Sequence, residues 1–358
     1  MWPTGGRVGL VSAGLERVRP GRGARWLAVQ AAYGGGAVGT LGALGWAVLR
    51  AEARLARVTI GEPKETAPLA TGSWGRGRRG RTPLRLAVLG DSSAAGLGCD
   101  IAEQTPGAVL AGSLAREQHR HVLLDVHAVV GARAADLDAQ VARALLRPVD
   151  LAVVMIGAND VTHRVPPADA ARDLARAVAT LRAAGAAVVA GTCPDLGTVK
   201  PLWQPLRGVA RVASRRMAQA QTVAVVEAGG LSVSLGDLLG PEFGGSAELW
   251  SADRFHPSPQ GYARVADVLL PAALQALGVD LAAGLTERDS VQDVDLAASV
   301  AAADPGLVVE TVEGAQGAAA VGPGRLARLV RRVPLVGRVE PEGRTGSEQA
   351  AAADEATL

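Results

Sequence analysis

Through the middle of the chain, short apolar runs alternate with longer stretches of helical period. Leu84–Leu89 reads LRLAVL, His121–Val130 reads HVLLDVHAVV and Leu151–Ile156 reads LAVVMI. Short runs rich in Val and Leu and closed by glycine predict buried strands. Ala187–Thr192 and Thr222–Val226 supply a fourth and a fifth. Between them, helical spacing runs over Pro106–Glu117, Arg133–Leu145, Ala168–Ala183, Leu206–Ala220 and Pro259–Leu277. Strands that alternate with helices predict a parallel sheet covered on both faces.

The ends of the chain follow other patterns. Trp26–Leu49 carries no charge and, at roughly 1.5 Å per residue, is long enough to cross a bilayer core of about 30 Å. Arg7, Arg17, Arg19, Arg22 and Arg25 precede it, and Trp26 and Trp46 stand near its ends as interfacial anchors would. A single membrane-spanning helix is expected. A buried glycine-rich helix and a signal peptide cleaved near Ala51-Glu52-Ala53 are the alternatives. Gly34–Gly39 spells G-x-G-x-x-G, but no strand precedes it, so close helix packing is expected there and not a dinucleotide site. Arg50, Arg54, Arg57 and Lys64 follow the span, so the flanking charges nearly balance. Glu62–Pro83 is rich in Gly, Arg and Pro, as a linker would be.

After Gly278 the pattern decays. Gly324–Val333 reads GRLARLVRRV, which suits a short solvated helix or one lying at a lipid interface. The expected organisation is a basic segment at 1–25, a transmembrane helix at 26–49 and a linker at 50–83. A folded domain at 84–278 and a largely disordered tail at 279–358 complete it. For the folded domain the expectation is α/β, a flavodoxin-like three-layer α/β/α sandwich with a parallel sheet of about five strands.

Composition narrows the partners. The chain has 358 residues, is 48% hydrophobic and carries a net charge of only +2, so no bulk field for nucleic acid exists. Basic charge is nearly all Arg, with Lys64 and Lys200 the only lysines. Cys99 and Cys193 suit apolar free thiols, or a disulfide if the domain is extracytoplasmic. No Cys/His spacing suggests zinc, and no metal or other cofactor is expected.

The candidate chemistry sits where strands end. Gly90-Asp91-Ser92 follows the first strand, Gly131 the second and Gly157-Ala158-Asn159-Asp160 the third. Open α/β sheets bind ligands at those ends. A serine hydroxyl attacks an ester poorly unless a base lies within hydrogen-bond reach and a carboxylate holds that base. Asp253 precedes His256 by three residues, so one turn can present both groups. Glycine lets a substrate oxygen approach the backbone N–H, and the Asn159 amide can donate to the same oxygen. Each piece alone has a plainer explanation: a Gly-Asp-Ser turn, an Asn-Asp turn pair, an Asp that caps local backbone, a surface His before Pro. Ser93 is the rival nucleophile. His119, His121 and His127 suit structural positions, and His163 a substrate loop at most.

These four blocks, in this order, resemble those of the SGNH hydrolases, the GDSL esterase/lipase family, over about Leu84 to Gly278. The resemblance implies that Ser92 is the nucleophile, with its own N–H in the oxyanion hole beside Gly131 and Asn159. It implies that His256 is the base and Asp253 its carboxylate. Ser93 stands where the family name has Leu. The implied activity is a serine esterase acting on acyl or acetyl esters of lipid or sugar. Acyl transfer to a cell-envelope acceptor and a non-catalytic binding module are the alternatives. The secreted habit of many family members implies a catalytic domain outside the cytoplasm, held to the membrane through 26–49. A soluble secreted enzyme and a cytoplasmic-facing domain are the other arrangements.

Overall fold

The computed structural model describes residues 46–52, 54–55, 66–78, 80–236 and 241–279, and the backbone of three later strands. Contacts divide the chain into two units, Met1–Glu52 and Ala53–Leu358. In the first, residues 46–52 are helical and the Arg50 guanidinium lies over the Trp46 indole, 4.1 Å from its centre. Among the described residues no helix is long and apolar enough to cross a membrane. The span expected at 26–49 falls outside the described residues, apart from 46–49.

The second unit is an α/β sandwich. Its elements run β1 (Gly72–Trp74), β2 (Leu84–Gly90), α1 (Ser92–Ala95), α2 (Pro106–Gln118), β3 (Val122–Val126), α3 (Leu137–Ala144) and β4 (Leu151–Met155). Then come α4 (Ala158–Thr162), α5 (Pro167–Ala183), β5 (Ala187–Gly191), α6 (Leu206–Glu227), β6 (Leu231–Val233), α7 (Pro241–Gly245) and α8 (Pro259–Ala276). Three strands follow, β7 (Ser290–Asp293), β8 (Leu307–Thr311) and β9 (Leu326–Arg331). The sheet order is β1-β3-β2-β4-β5-β6-β8-β9-β7. The five strands from β3 to β6 are parallel; β1 adds antiparallel to β3, and β8 antiparallel to β6.

Strand alternation divides the core into two layers. Leu84, Leu86, Val88, Leu151 and Val153 face one side, packed with Leu110 and Leu114 of α2 and Leu269 of α8. Ala87, Leu89, Ala152 and Val154 face the other, against Leu137 of α3, Leu174 and Leu181 of α5 and Val225 of α6. Burial of each large side chain stabilises by roughly 1.5–3 kcal/mol. Among the parallel strands the order reverses between β2 and β4, which start the two halves of the sheet. That crevice is where doubly wound sheets bind ligands. Register aligns Gly90 with Met155, Met155 with Gly191 and Gly191 with Val233, so the carboxyl ends of four strands share one rim.

Several expectations need correction. Thr222–Val226 is the last part of α6, and the fifth parallel strand is Leu231–Val233. A short β-branched run cannot be told from a buried helix by its period. Here the helix continues until Ala228 caps it and Gly229 turns at φ +80°. The second strand stops at Val126, and the helix expected from Arg133 opens as a 3-10 turn at Ala134–Asp136. The expected linker contains β1, whose Trp74 indole N–H donates to the Ala70 carbonyl at 2.9 Å. The tail expected to be largely disordered contributes three antiparallel strands, which together with β1 raise the sheet from about five strands to nine. Leu326–Arg331, inside the segment read as a helix, is one of them, paired on both sides by β7 and β8.

Candidate active site

Gly90 is where the chain leaves the sheet. Its φ is +136°, and a Cβ there would meet the Met155 carbonyl oxygen at 1.8 Å, so only glycine fits. Its backbone is clamped by the buried Gln140 side chain: the Gly90 N–H donates to Oε1 at 2.7 Å, and Nε2 donates to the Gly90 oxygen at 2.9 Å. Asp91 then caps α1, accepting the Ser93 N–H at 2.9 Å. Burial pushes the Asp91 carboxyl up to about 6, against the Ser93 N–H and the charge of His256, which lower it. Ser92 is the first residue of α1 and is buried. Tyr262 of α8 donates to the Leu97 oxygen at 2.7 Å and ties the turn after Ser92 to the far helix.

His256 reaches Ser92 from a loop made rigid by its own hydrogen bonds. The Ser251 N–H donates to the His256 oxygen at 2.9 Å, and Arg254 takes φ +56° at the bend. Ser258 caps α8, accepting the Gly261 N–H, and Pro259 opens the helix. The imidazole Nε2 lies 2.9 Å from Ser92 Oγ, and Nδ1 lies 2.6 Å from Asp253 Oδ2. Asp253 Oδ1 accepts three more bonds, from Ser251 Oγ at 2.7 Å and from the N–H groups of Phe255 and His256 at 2.8 Å each. Burial alone would raise the Asp253 carboxyl. The His256 side chain and these donors outweigh it and hold the group well below the usual carboxylate range. It is therefore an anion across the physiological range.

Asn159 sits in the first turn of α4. Gly157 before it has φ +130°, and a Cβ there would meet Gln221 Nε2 at 2.7 Å and Cys193 Cβ at 2.9 Å. Asn159 Nδ2 donates to the Ala132 oxygen at 3.0 Å, which leaves its second N–H available. Asp160 beside it is buried and accepts the Ala134 N–H on both oxygens, at 3.1 and 3.2 Å. Those bonds fasten the turn that carries Gly131 to α4. Gly131 itself is exposed at φ +84°. A Cβ there would meet nothing within 4 Å, so glycine is favoured by the backbone angle and not by crowding from the protein. Among the described residues, the N–H groups of Ser92 and Gly131 have no protein acceptor.

Ser92, Asn159 and His256 line one cleft with an empty volume of about 750 Å³, its open mouth included. Asp253 lies behind the imidazole, and Gly131 is outside the lining. The walls are mostly apolar, from Met155, Ile156, Leu196, Val199, Leu235 and Phe255. Thr192 also lines it, with a hydroxyl that has no hydrogen-bond partner. Ser93 lines the cleft too, but the imidazole bond goes to Ser92. His163 is exposed at the end of α4, with Nδ1 2.8 Å from the Asn159 oxygen. Cys99 and Cys193 are buried and unpaired. Among the described residues no cluster of His, Cys, Asp or Glu could hold a metal ion.

Several supporting residues escape the sequence reading. Gln140 and Gln221 are almost fully buried. Gln221 bridges two strand ends, accepting the Cys193 N–H at 2.7 Å and donating to the Ile156 oxygen at 3.0 Å. The available signal was an amide on the apolar face of each helix, where the pattern asks for a hydrocarbon. Ser251 and Tyr262 gave no such signal.

The arrangement can deliver a hydroxyl nucleophile to a proton acceptor already held by a carboxylate, next to free N–H donors. Residues 88–264 match the model of the GDSL-like Lipase/Acylhydrolase family. The chain is 42% identical over 241 residues to the GDSL-like esterase Rv1075c of Mycobacterium tuberculosis, which covers 64% of this chain and 77% of the relative. Among solved structures, TesA is 26% identical with a TM-score of 0.43, covering 54% of this chain and 99% of its own. A variant of Axe2, an acetyl xylan esterase from Geobacillus stearothermophilus, is 19% identical with a TM-score of 0.41, covering 58% and 97%. From the family match and the extent of the similarity to Rv1075c, this chain belongs to the GDSL-like lipase/acylhydrolase family of SGNH hydrolases.

Proposed function

We propose that the protein is a serine esterase that hydrolyses acyl or acetyl esters of lipid or sugar through an acyl-enzyme on Ser92. The observation that carries this reading is the continuous hydrogen-bond chain from Ser92 Oγ to His256 Nε2, 2.9 Å, and from His256 Nδ1 to Asp253 Oδ2, 2.6 Å. In the proposed mechanism Ser92 Oγ attacks the ester carbonyl carbon as its proton passes to His256. The carbonyl electron pair moves onto oxygen, where the N–H groups of Ser92 and Gly131 and the Asn159 amide stabilise it. Collapse of this intermediate breaks the C–O bond, and His256 gives its proton to the leaving alcohol. Water, deprotonated by His256, then releases the acid and restores Ser92. Asp253 keeps the imidazole in the useful tautomer and stays ionised throughout.

The family membership and the esterase name of Rv1075c support an ester substrate. The apolar walls of the cleft suit the hydrocarbon part of an ester. We further propose that 26–49 holds the protein in a membrane with the esterase domain outside the cytoplasm.

A series of p-nitrophenyl esters tests the activity directly, with Ser92→Ala as control and alcohol acceptors added in parallel. Turnover should fall on the order of 10³-fold or more in Ser92→Ala, leaving binding and oxyanion stabilisation alone. Full activity in that variant would remove Ser92 from the reaction. Transfer to the added alcohol in preference to water would make the protein a transferase.

A further inference from the structure

We propose that the start of α6 and the loop before it form a docking face for an anionic lipid surface. Three large apolar residues stand out there: Trp203 is 69% exposed, Val209 50% and Val212 51%. The Arg207 N–H donates to the Trp203 oxygen at 2.7 Å, which fixes the loop bearing the indole against the first turn of the helix. Val209, Val212 and Arg216 are spaced i, i+3, i+7 and so share one helix face. Among the described residues nothing covers them.

The charge around this patch selects the occupant. Lys200, Arg211, Arg215 and Arg216 are exposed in the same segment, Arg207 is half-buried, and from Leu196 to Val226 the chain has no Asp or Glu. Asp195 beneath is buried and pairs with Arg211 at 3.1 Å and Arg215 at 3.7 Å, and the exposed cations of the segment outnumber it. A two-fold dimer would bring the same five cations against themselves, which like-charge repulsion opposes. Lipid phosphates complement them. Trp at the headgroup level and Val below it match the chemistry of a membrane interface. The long arginine stems can lie along the apolar surface with their charged ends at the phosphates.

The face is also placed for use. Leu196 and Val199 line the catalytic cleft, and Leu202 packs against their cluster. Trp203 lies four residues beyond Val199, a reach of at most about 14 Å. An ester held in the docked surface is thus presented near the cleft mouth. The docking itself does not depend on the esterase reading, and its test does not use turnover.

The test is a fluorescent probe sensitive to polarity on Val212→Cys in the full chain; Cys99 and Cys193 are buried and spared. A second probe on Leu146→Cys, at a site 82% exposed beyond α3, is the control. The chain is combined with vesicles of phosphatidylcholine alone or with about a third phosphatidylglycerol. Because each probe reports its own position, the result stands whether or not 26–49 inserts. The Val212 probe should shift to the blue and be quenched by lipid-borne spin label in the anionic vesicles only, and salt should reverse this. The Leu146 probe should not respond. Arg216→Gln should weaken docking roughly fivefold, and Trp203→Ser should weaken it further. A response equal in both vesicle types, or none, would overturn the proposal. So would a blue shift without vesicles that grows with protein concentration, which would assign the face to a second copy of the chain.

Discussion

At the residue scale, the role proposed for Asn159 separates substrate binding from transition-state stabilisation. In the proposed mechanism its second N–H meets charge that exists only during reaction. Asn159→Ala should lower kcat by roughly 10²–10³ with little change in KM. A variant whose only defect is a raised KM would make Asn159 a plain binding residue. The nearby Gly131 shows a limit of reading residues from sequence. Glycine there was expected to keep the approach open, yet the space is open in any case; φ +84° is what disfavours a side chain.

Asp91 gives a second prediction, on pH. Its folded value is raised to about 6, above that of an unfolded carboxylate, so the folded state holds the proton longer. Stability should therefore fall as pH rises from about 4 to 6, by at most roughly 3 kcal/mol. Asn can still accept the Ser93 N–H as a cap. Asp91→Asn should flatten this slope and raise Tm at pH 7.5, measured by thermal unfolding across the range. An unchanged slope would show that Asp91 is not its source. Asp253 acts in the opposite sense: its contribution is present above about pH 4 and fades as pH falls below that.

At the scale of elements, the strand-end motifs were legible and their supports were not. LRLAVL and LAVVMI announce β2 and β4 because strands covered on both faces need apolar residues at every position. Their glycine endings locate Ser92 and Asn159. The same logic misread Thr222–Val226, since burial inside a long helix demands the same residues. The clamps were hidden because they depend on which element packs over which. Gln140 of α3 is the clearest case. Gln140→Leu would leave the Gly90 N–H buried without an acceptor, while the Gly90 oxygen keeps the Val129 N–H at 3.0 Å. The cost should be about 1–3 kcal/mol in urea unfolding, with reduced turnover as the Ser92 turn loosens. Unchanged stability would mean that the Gly90 turn does not depend on the clamp.

At the scale of the molecule, the α/β core and its two-sided covering followed from the alternation of patterns, but the width of the sheet did not. β1 and the strands after α8 extend it by antiparallel pairing, and such short runs leave little periodic signal. Location is a property of the whole chain as well. If 26–49 anchors the protein with the domain outside, a reporter active only outside the cytoplasm should work when fused after Leu277. The membrane-extracted protein should then keep its full mass. Reporter silence would put the domain inside, and a chain starting near Arg54 would mean a cleaved and secreted enzyme.

The central claim is that Ser92 is the nucleophile, and labelling with a fluorophosphonate tests it most directly. The reagent should lose fluoride and form a covalent phosphonyl ester on Ser92 Oγ, mapped by peptide mass spectrometry. His256→Ala should suppress the reaction and His163→Ala should not. An adduct on Ser93, or labelling that is indifferent to His256, would contradict the account.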